Sequence, residues 1–178
     1  MAEHSFELIV EGISLDEPVT IDHLSRVAPD ATVAGDHRVT RIAFDRERAS
    51  FGEALLSAIQ DVESVTGVRV SRVEPDELVW ASEIAKRTGR TRQSVTMLIK
   101  GQRGPGSFPQ PVTHGRNPVW RWSDVAAWFT GWDGQDLEDR RRSSWIAAVN
   151  GILEARHSAD HLSANDRRSL AALLVGAA

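Results

Sequence analysis

A glycine between two short helical patterns constrains the fold of this chain more than any other feature of its sequence. The window 81–100 carries a small residue, a glycine and two apolar residues at the spacing of a helix-turn-helix: Ala85, Gly89, Val95 and Leu98. Helices that cross closely need a small residue at the crossing, and a tight turn with positive φ favours glycine. The spacing therefore predicts two packed helices, with one face of the second helix left exposed.

Capping residues give the expected limits of these helices. Ser82 and Thr91 are the predicted N-caps of the first and second helix. Gly89 and Gly101 stand where the two helices are expected to end. The run GQRGPGSFPQP that begins at Gly101 cannot continue a helix, and its prolines exclude a central strand.

A wing is predicted after the second helix. Residues 108–112 and 119–122 are expected to be extended partners, with residues 114–117 forming the tip between them. Ser123 is the predicted cap of a short helix over residues 124–129. Three tryptophans lie in these elements, namely Trp120, Trp122 and Trp128. They could form a stacking platform for single-stranded nucleic acid, but their periodicity and the needs of a small core indicate mainly core positions.

The charge of the chain reverses sign over the same stretch. Residues 80–122 contain eight Lys or Arg and one acid, whereas residues 1–79 contain seven bases and sixteen acids. Residues 123–178 contain six bases and eight acids, and the whole chain has a net charge of −4. A basic block between acidic flanks is typical of a polyanion-binding module. A solvated basic face is an equally frequent cause of such a block when charge is taken alone.

The exposed face of the second helix carries the candidate base contacts. Arg92, Gln93 and Thr96 lie near its N-terminal half, where recognition helices meet base edges in the major groove. Three further cations suit phosphate contacts, which position a protein without reading sequence: Lys86, Arg87 and Lys100. The expected DNA-binding set is Arg90, Thr91, Arg92, Gln93, Thr96, Lys100, Arg103, Arg116 and Arg121. For any one of the candidate base contacts, a side chain that merely faces water or phosphate is an equal alternative.

Three runs resemble the winged helix-turn-helix of excisionase-type and MerR-type DNA-binding proteins. They are SEIAKRTGRTRQSV, GQRGPGSFPQPV and WRWSDVAAWF, within residues 78–130. The resemblance implies that the second helix enters the major groove through Arg92, Gln93 and Thr96. It also implies that the wing holds the flanking backbone, with Arg103 and Arg116 as its contacts. The chain departs from MerR proteins in having no long dimerisation coiled coil or cysteine effector site, and from short excisionases in its acidic N-terminal half.

The acidic half has the pattern of a ferredoxin-like β-α-β-β-α-β domain. Its periodicity predicts, in order, a strand at 6–10, a helix at 21–27, strands at 31–34 and 40–44 around Gly35-Asp36, a helix after Ser50, and a strand at 68–73. The S-x-x-E sequence from Ser50 has the form of a capping box. No phosphate-binding glycine loop or acid/base pair emerges there, so partner binding or dimerisation is favoured over catalysis.

Two helices are predicted at the C-terminal end. The first spans 136–156, and its apolar face is expected to comprise Leu137, Trp145, Ile146, Val149, Ile152 and Leu153. The second has Ser163 or Asn165 as its cap and carries Leu170, Leu173 and Leu174. Such helices have too little volume for a core of their own. They are expected to pack either on the winged region or on a second copy of the chain.

These patterns together predict an α+β protein of three parts. The N-terminal domain is expected at 1–76, a winged helix-turn-helix at 77–130, and a helical pair at 131–178, with residues 74–77 as the first linker. The favoured function is sequence-specific binding of double-stranded DNA, most simply as a transcriptional regulator. An excisionase-like architectural factor and a winged-helix protein-interaction adaptor are the alternatives.

The remaining expectations are mostly absences. The chain has no cysteine and no long apolar run or signal-peptide pattern, which favours a cytoplasmic protein. No nucleophile–base pair or nucleotide loop stands at a meaningful spacing, so an enzyme and a cofactor are not expected. His157 and His161 are spaced i, i+4, but without a further evident ligand beyond Asp160 we do not expect a metal site. A homodimer through the N-terminal domain or the C-terminal helices is an expected assembly.

Overall fold

The protein is an α+β molecule with an antiparallel sheet. The computed structural model describes residues 1–13, 18–35, 39–75, 77–113, 115–134 and 137–175, without the side chains of 137–140 and 173–175. Its elements are β1 (Ala2–Glu11), α1 (Pro18–Val27), β2 (Ala31–Gly35), β3 (Thr40–Arg48), α2 (Phe51–Glu63), β4 (Arg69–Glu74), β5 (Leu78–Val79), α3 (Ala81–Arg87), α4 (Arg92–Ile99), β6 (Trp120–Arg121), α5 (Trp122–Asp133), α6 (Leu137–Ala159) and α7 (Ala164–Val175). None of the helices in these ranges has the length and apolar character needed to cross a bilayer.

The first four strands form one sheet in the order β2-β3-β1-β4, and every neighbouring pair is antiparallel. Alternation along β1 buries Phe6, Leu8 and Val10 under the helices, whereas Glu7 and Ile9 between them stay partly exposed. Helix α2 begins after Ser50, whose side chain accepts a hydrogen bond from the Glu53 backbone, so the predicted N-cap at Ser50 is confirmed. Its apolar stripe completes a first core between the sheet and helices α1 and α2.

A buried arginine ties the sheet to these helices. The Arg46 side chain, only 2% exposed, bonds Asp30 through Nε and Nη2 at 2.7 and 2.8 Å. Its Nη1 donates to Asp61 at 2.8 Å and to the Ser57 hydroxyl at 3.0 Å. The hydrogen bonds from Arg46 hold the pKa of Asp30 below its usual value, although partial burial opposes the shift. A buried cation with two carboxylate partners is satisfied, and removal of either acid would leave a costly partly unpaired charge.

A second core lies beyond the linker. It consists of apolar side chains from β5, α3, α4, the following loop, β6 and α5, namely Val79, Ile84, Ala85, Val95, Leu98, Phe108, Trp120, Trp122, Val125, Ala126 and Phe129. The expectation that Trp120 and Trp122 are core residues is confirmed, since they are 2% and 4% exposed. Trp128 is partly buried against the same cluster.

Helix α6 returns to the first core. Its buried residues Ile146, Val149 and Leu153 join the cluster under the sheet, and the helix also contacts α5. At the outer edge of β4 the Asn150 side chain accepts from the Val73 N–H at 2.8 Å and donates to the Val73 carbonyl at 3.0 Å. The helix therefore covers one edge of the sheet in addition to its contact with α5.

The faces of the C-terminal helices differ partly from expectation. Trp145 and Ile152, expected on the packed face of α6, are 42% and 50% exposed. The Ser163 hydroxyl accepts from the Asp166 N–H at 3.2 Å at the start of α7, which confirms Ser163 as a cap. Leu170 is partly exposed, while the side chains of Leu137, Leu173 and Leu174 lie outside the described ones.

Two predicted helix caps are wrong. The N-cap of α3 is Trp80, because its carbonyl accepts from the backbones of Glu83 and Ile84, so Ser82 lies inside the helix. Helix α5 begins at Trp122 and not after Ser123, because residue 77 already satisfies the backbone N–H groups at that end. The predicted turn residue Asp36 lies outside the described residues.

Substitution of Gly52 tests the docking of α6 on α2. A Cβ at Gly52 would lie 2.5 Å from the Cε2 and Cζ2 atoms of Trp145, whereas a Cβ at Gly151 would meet nothing within 4 Å. We expect Gly52→Ala to lower the free energy of unfolding by about 1–3 kcal/mol through overpacking. The control Gly151→Ala, within α6, should raise it by about 0.5–1 kcal/mol. Urea denaturation measures both; a Gly52→Ala protein as stable as the unsubstituted chain would contradict this packing.

Candidate nucleic-acid interface

The turn between α3 and α4 is fixed by Gly89. This residue has φ of +64°, and the next residue, Arg90, donates its N–H to the Ala85 carbonyl at 2.8 Å. Such a φ strains residues with a Cβ, which explains glycine at this position. Ala85 is 4% exposed, while Val95 and Leu98 on α4 are fully buried. The structure thus brings together the four residues of the helix-turn-helix register as two packed helices and a left-handed turn.

The outward face of α4 carries the candidate base contacts. Arg92, Gln93 and Thr96 are all exposed. The Thr96 hydroxyl donates to the Arg92 carbonyl at 2.8 Å, and the Thr91 hydroxyl accepts from the Ser94 N–H at 3.1 Å. Thr91 is therefore the N-cap, as predicted. Because the Thr91 hydroxyl caps the helix, Arg92 and Gln93 are the long polar side chains that point outward at the start of α4.

The loop after α4 is held in place by two indole groups. Trp128 Nε1 donates to the Gly106 carbonyl at 2.9 Å, and Trp120 Nε1 donates to the Pro109 carbonyl at 3.0 Å. The Phe108 ring packs edge-on against both of these tryptophans. These contacts give the loop a defined path although it is rich in glycine. Lys100 and Arg103, the cations at its start, are both exposed.

The predicted wing forms a short and irregular hairpin. Residues 108–112 do not form a named strand, but the Val112 N–H donates to the Val119 carbonyl at 2.8 Å and Thr113 makes a β-bridge with Val119. β6 instead pairs with β5. Prolines within 108–112 explain the missing ladder, because they have no N–H to donate. Arg116 is exposed beyond the bridge, whereas His114 lies outside the described residues.

Arg90 is partly buried and makes its contacts within this unit. Its Nη2 bonds the Asp133 carboxylate at 2.7 Å, and its guanidinium lies 5.2 and 4.9 Å from the ring centres of Phe129 and Trp132. The residue was expected among the DNA contacts. Its contacts instead brace the turn against the end of α5. Arg87 is similarly engaged, since it pairs with Glu83 at 3.2 Å and lies over the Trp122 ring.

Arg121 faces a different part of the molecule from α4. It lines a cleft of about 320 Å³ together with residues of β4 and α6, among them Arg72, Asn150 and Glu154. The lining of this cleft includes no residue of α4. The expected set of contacts is therefore brought together in part: Arg92, Gln93 and Thr96 share one helix face, whereas Arg121 lies apart from them.

Glu77 is a buried carboxylate that the sequence patterns did not single out. Its side chain accepts from the Ser123 N–H at 2.7 Å, and its backbone carbonyl accepts from the Trp122 N–H at 2.7 Å. Burial raises the pKa of Glu77 above its usual value, while the bonds from Ser123 and the charge of Arg87 oppose the shift. An acid near the N-terminus of α5 is also favoured by the helix dipole. The proline-containing linker sequence carries no signal for this burial.

No protein-family model matches the chain, and neither a curated protein nor a solved structure matches it.

Among the described residues there is no group of three or more His, Cys, Asp or Glu side chains that is arranged to hold a metal. The His157 and His161 rings lie 5.9 Å apart in an edge-on contact, and Asp160 pairs with Arg69.

Arg90→Ala and Arg92→Ala test whether Arg90 stabilises the fold while the nearby exposed Arg92 does not. We expect Arg90→Ala to lower the free energy of unfolding by about 1–2 kcal/mol, since it loses a partly buried ion pair and two cation–π contacts. Arg92→Ala, two residues away and exposed, should change it by less than about 0.5 kcal/mol. Chemical denaturation of the two variants gives the comparison. Equal stability of the two proteins would show that Arg90 is not a structural brace.

Proposed function

We propose that this protein binds double-stranded DNA in a sequence-specific manner and acts as a transcriptional regulator. In this proposal α4 is the recognition helix and the segment from Gly101 to Val119 is the wing. The observation that carries it is the pairing of a packed, glycine-turned helix pair with an outward polar face, formed by Arg92, Gln93 and Thr96 on α4. A helix of this kind fits the major groove, where arginine and glutamine read base edges.

The surrounding charges support the same proposal. Lys86, Lys100, Arg103 and Arg116 are exposed cations on α3, at the end of α4 and on the wing. Such residues suit phosphates on either side of a groove. The indole-anchored loop supports a wing with a defined path, since an ordered segment loses less conformational entropy on binding than a mobile one.

We further propose specific fold classes for the two units. The strand order β2-β3-β1-β4, with two helices packed against the sheet, supports a ferredoxin-like arrangement for the N-terminal unit. The order α3-α4-hairpin-α5 around one core supports a winged helix-turn-helix for the second. The acidic sheet unit would then serve as the regulatory or assembly part of the protein, and the second unit as its DNA-binding part.

The salt dependence of DNA binding tests the proposed function directly. Each phosphate neutralised by a cation contributes about −0.9 to the slope of log K against log salt, so the four exposed cations named above give a slope of about −3.6. We expect a slope of this size in fluorescence-anisotropy titrations with genomic duplex fragments. Binding sites selected from random duplexes should share a sequence. Absence of affinity for any duplex, or salt-insensitive binding to a protein instead, would overturn the proposal and favour the adaptor alternative.

Two exposed cations, Arg92 at the start of α4 and Lys100 at its C-cap, are expected to differ in their effect on specificity. Arg92→Ala should cost about 1–3 kcal/mol at one base position and relax the preference there. Lys100→Ala should weaken binding to all sequences alike and reduce the magnitude of the salt slope by about 1. Competition titrations against a panel of single-base variants of the selected site measure both effects. If both variants lose affinity equally for every duplex, the division into a base contact and a phosphate contact is wrong.

A further inference from the structure

The two edge strands of the N-terminal sheet, β4 and β2, differ in the side-chain hydrogen bonds that their backbones make. At the β4 edge the Val73 backbone is bonded on both its polar groups by Asn150, and the Val70 N–H donates to Glu63 at 3.1 Å. The other edge is β2, which pairs with β3 on one side alone. Among the described residues, no side chain forms a hydrogen bond with the backbone of residues 32–35. An exposed edge of this kind offers N–H and C=O groups to another strand.

The sequence of β2 lacks the features that normally block such pairing. It reads Ala-Thr-Val-Ala-Gly, with no charge and no proline. Natural edge strands are commonly protected by lysine, proline, bulges or a covering element. Helix α6 covers the β4 edge, whereas no helix in the described part of the chain covers β2, whose Thr32, Ala34 and Gly35 are exposed.

The edge strand itself carries two partly exposed apolar side chains. Ala31 and Val33 pack against the first core without being fully buried. Register with β3 places Ala31 opposite Phe44 and Val33 opposite Ile42, so both lie on the sheet face that α1 and α2 cover. A strand added next to β2 would continue that face and bury these side chains further.

We propose that β2 is a dimerisation edge at which a second copy of this chain pairs antiparallel about a two-fold axis. The two four-stranded sheets would then form one continuous sheet of eight strands. A second copy fits because a two-fold antiparallel pairing sets the strand against its own sequence, and an uncharged strand meets no like-charge repulsion there. In a register centred on Val33, the two Val33 side chains would be direct neighbours. The inference concerns the acidic unit and does not depend on DNA binding.

A charge placed in β2 tests the proposal. Sedimentation velocity of the full chain should show a dimer fraction that rises with protein concentration. Thr32→Lys should dimerise more weakly than the unsubstituted chain, because a pairing centred on Val33 would hold the two introduced ammonium groups on the same exposed face of the sheet, as diagonal neighbours across the two-fold axis. Gln60→Lys, which makes the same change in charge at an exposed position of α2, should dimerise like the unsubstituted chain. A monomer at all concentrations, or dimerisation of Thr32→Lys equal to that of the control, would overturn the proposal.

Cross-linking provides a second readout that requires no loss of assembly. The chain contains no cysteine, so a single introduced cysteine reports on its own position. Paired strands bring opposite Cα atoms to about 4.5–5.5 Å, within the range of roughly 4.4–6.8 Å that disulfides accept. Under mild oxidation, a cysteine at one of positions 32, 33 or 34 should give a disulfide-linked dimer, the position depending on the register. Gln60→Cys should give none. No dimer from any of the three β2 variants would also overturn the proposal.

Discussion

The second unit depends on how Glu77 joins the linker to helix α5. The backbone carbonyl of Glu77 accepts a hydrogen bond from the Trp122 N–H, and the Glu77 carboxylate accepts one from the Ser123 N–H. A buried carboxylate is costly unless it is hydrogen-bonded, so its position is closely constrained. Because β5 begins at the next residue and α3 follows shortly after, this contact fixes the start of the unit against its closing helix. The angle at which α4 is presented therefore depends on a residue that has no direct part in the proposed recognition.

Helix α6 imposes a second constraint, because it follows the second unit but packs into the core of the first. Ile146, Val149 and Leu153 lie under the sheet, and α6 also contacts α5. The chain thus crosses between the units at the linker near Glu77 and again between α5 and α6. The Asn150 amide, bonded to both polar groups of Val73, adds directional contacts to the apolar docking. The contacts of α6 with β4 and with α5 oppose movement of the sheet unit against the second unit.

Local patterns in the sequence predicted much of the fold, and long-range polar contacts could not be predicted from them. Alternation in β1, the cap at Ser50 and the Ala85–Leu98 register each depend on neighbours a few residues away, and the structure has those elements. Arg90 looked like a surface cation, because its partner Asp133 lies 43 residues away in the chain. The periodicity of α6 likewise indicated an apolar face but not the surface that this face covers. Burial of Glu77 has the same cause, since its partner lies 46 residues later.

Some cations of the basic block make contacts within their own unit, and others stay exposed to solvent. Arg87 and Arg90 lie over aromatic rings and pair with Glu83 and Asp133, so part of the basic block serves the core of its own unit. Formal charge alone therefore overstates the number of cations that a polyanion could contact. The cations that remain exposed on α4 and the wing, together with Lys86, are fewer, but they sit on elements whose backbone is fixed by Gly89 and by the two indole bonds. Affinity for DNA would then depend on a small, ordered set of contacts, with the acidic sheet unit adding repulsion that disfavours indiscriminate binding.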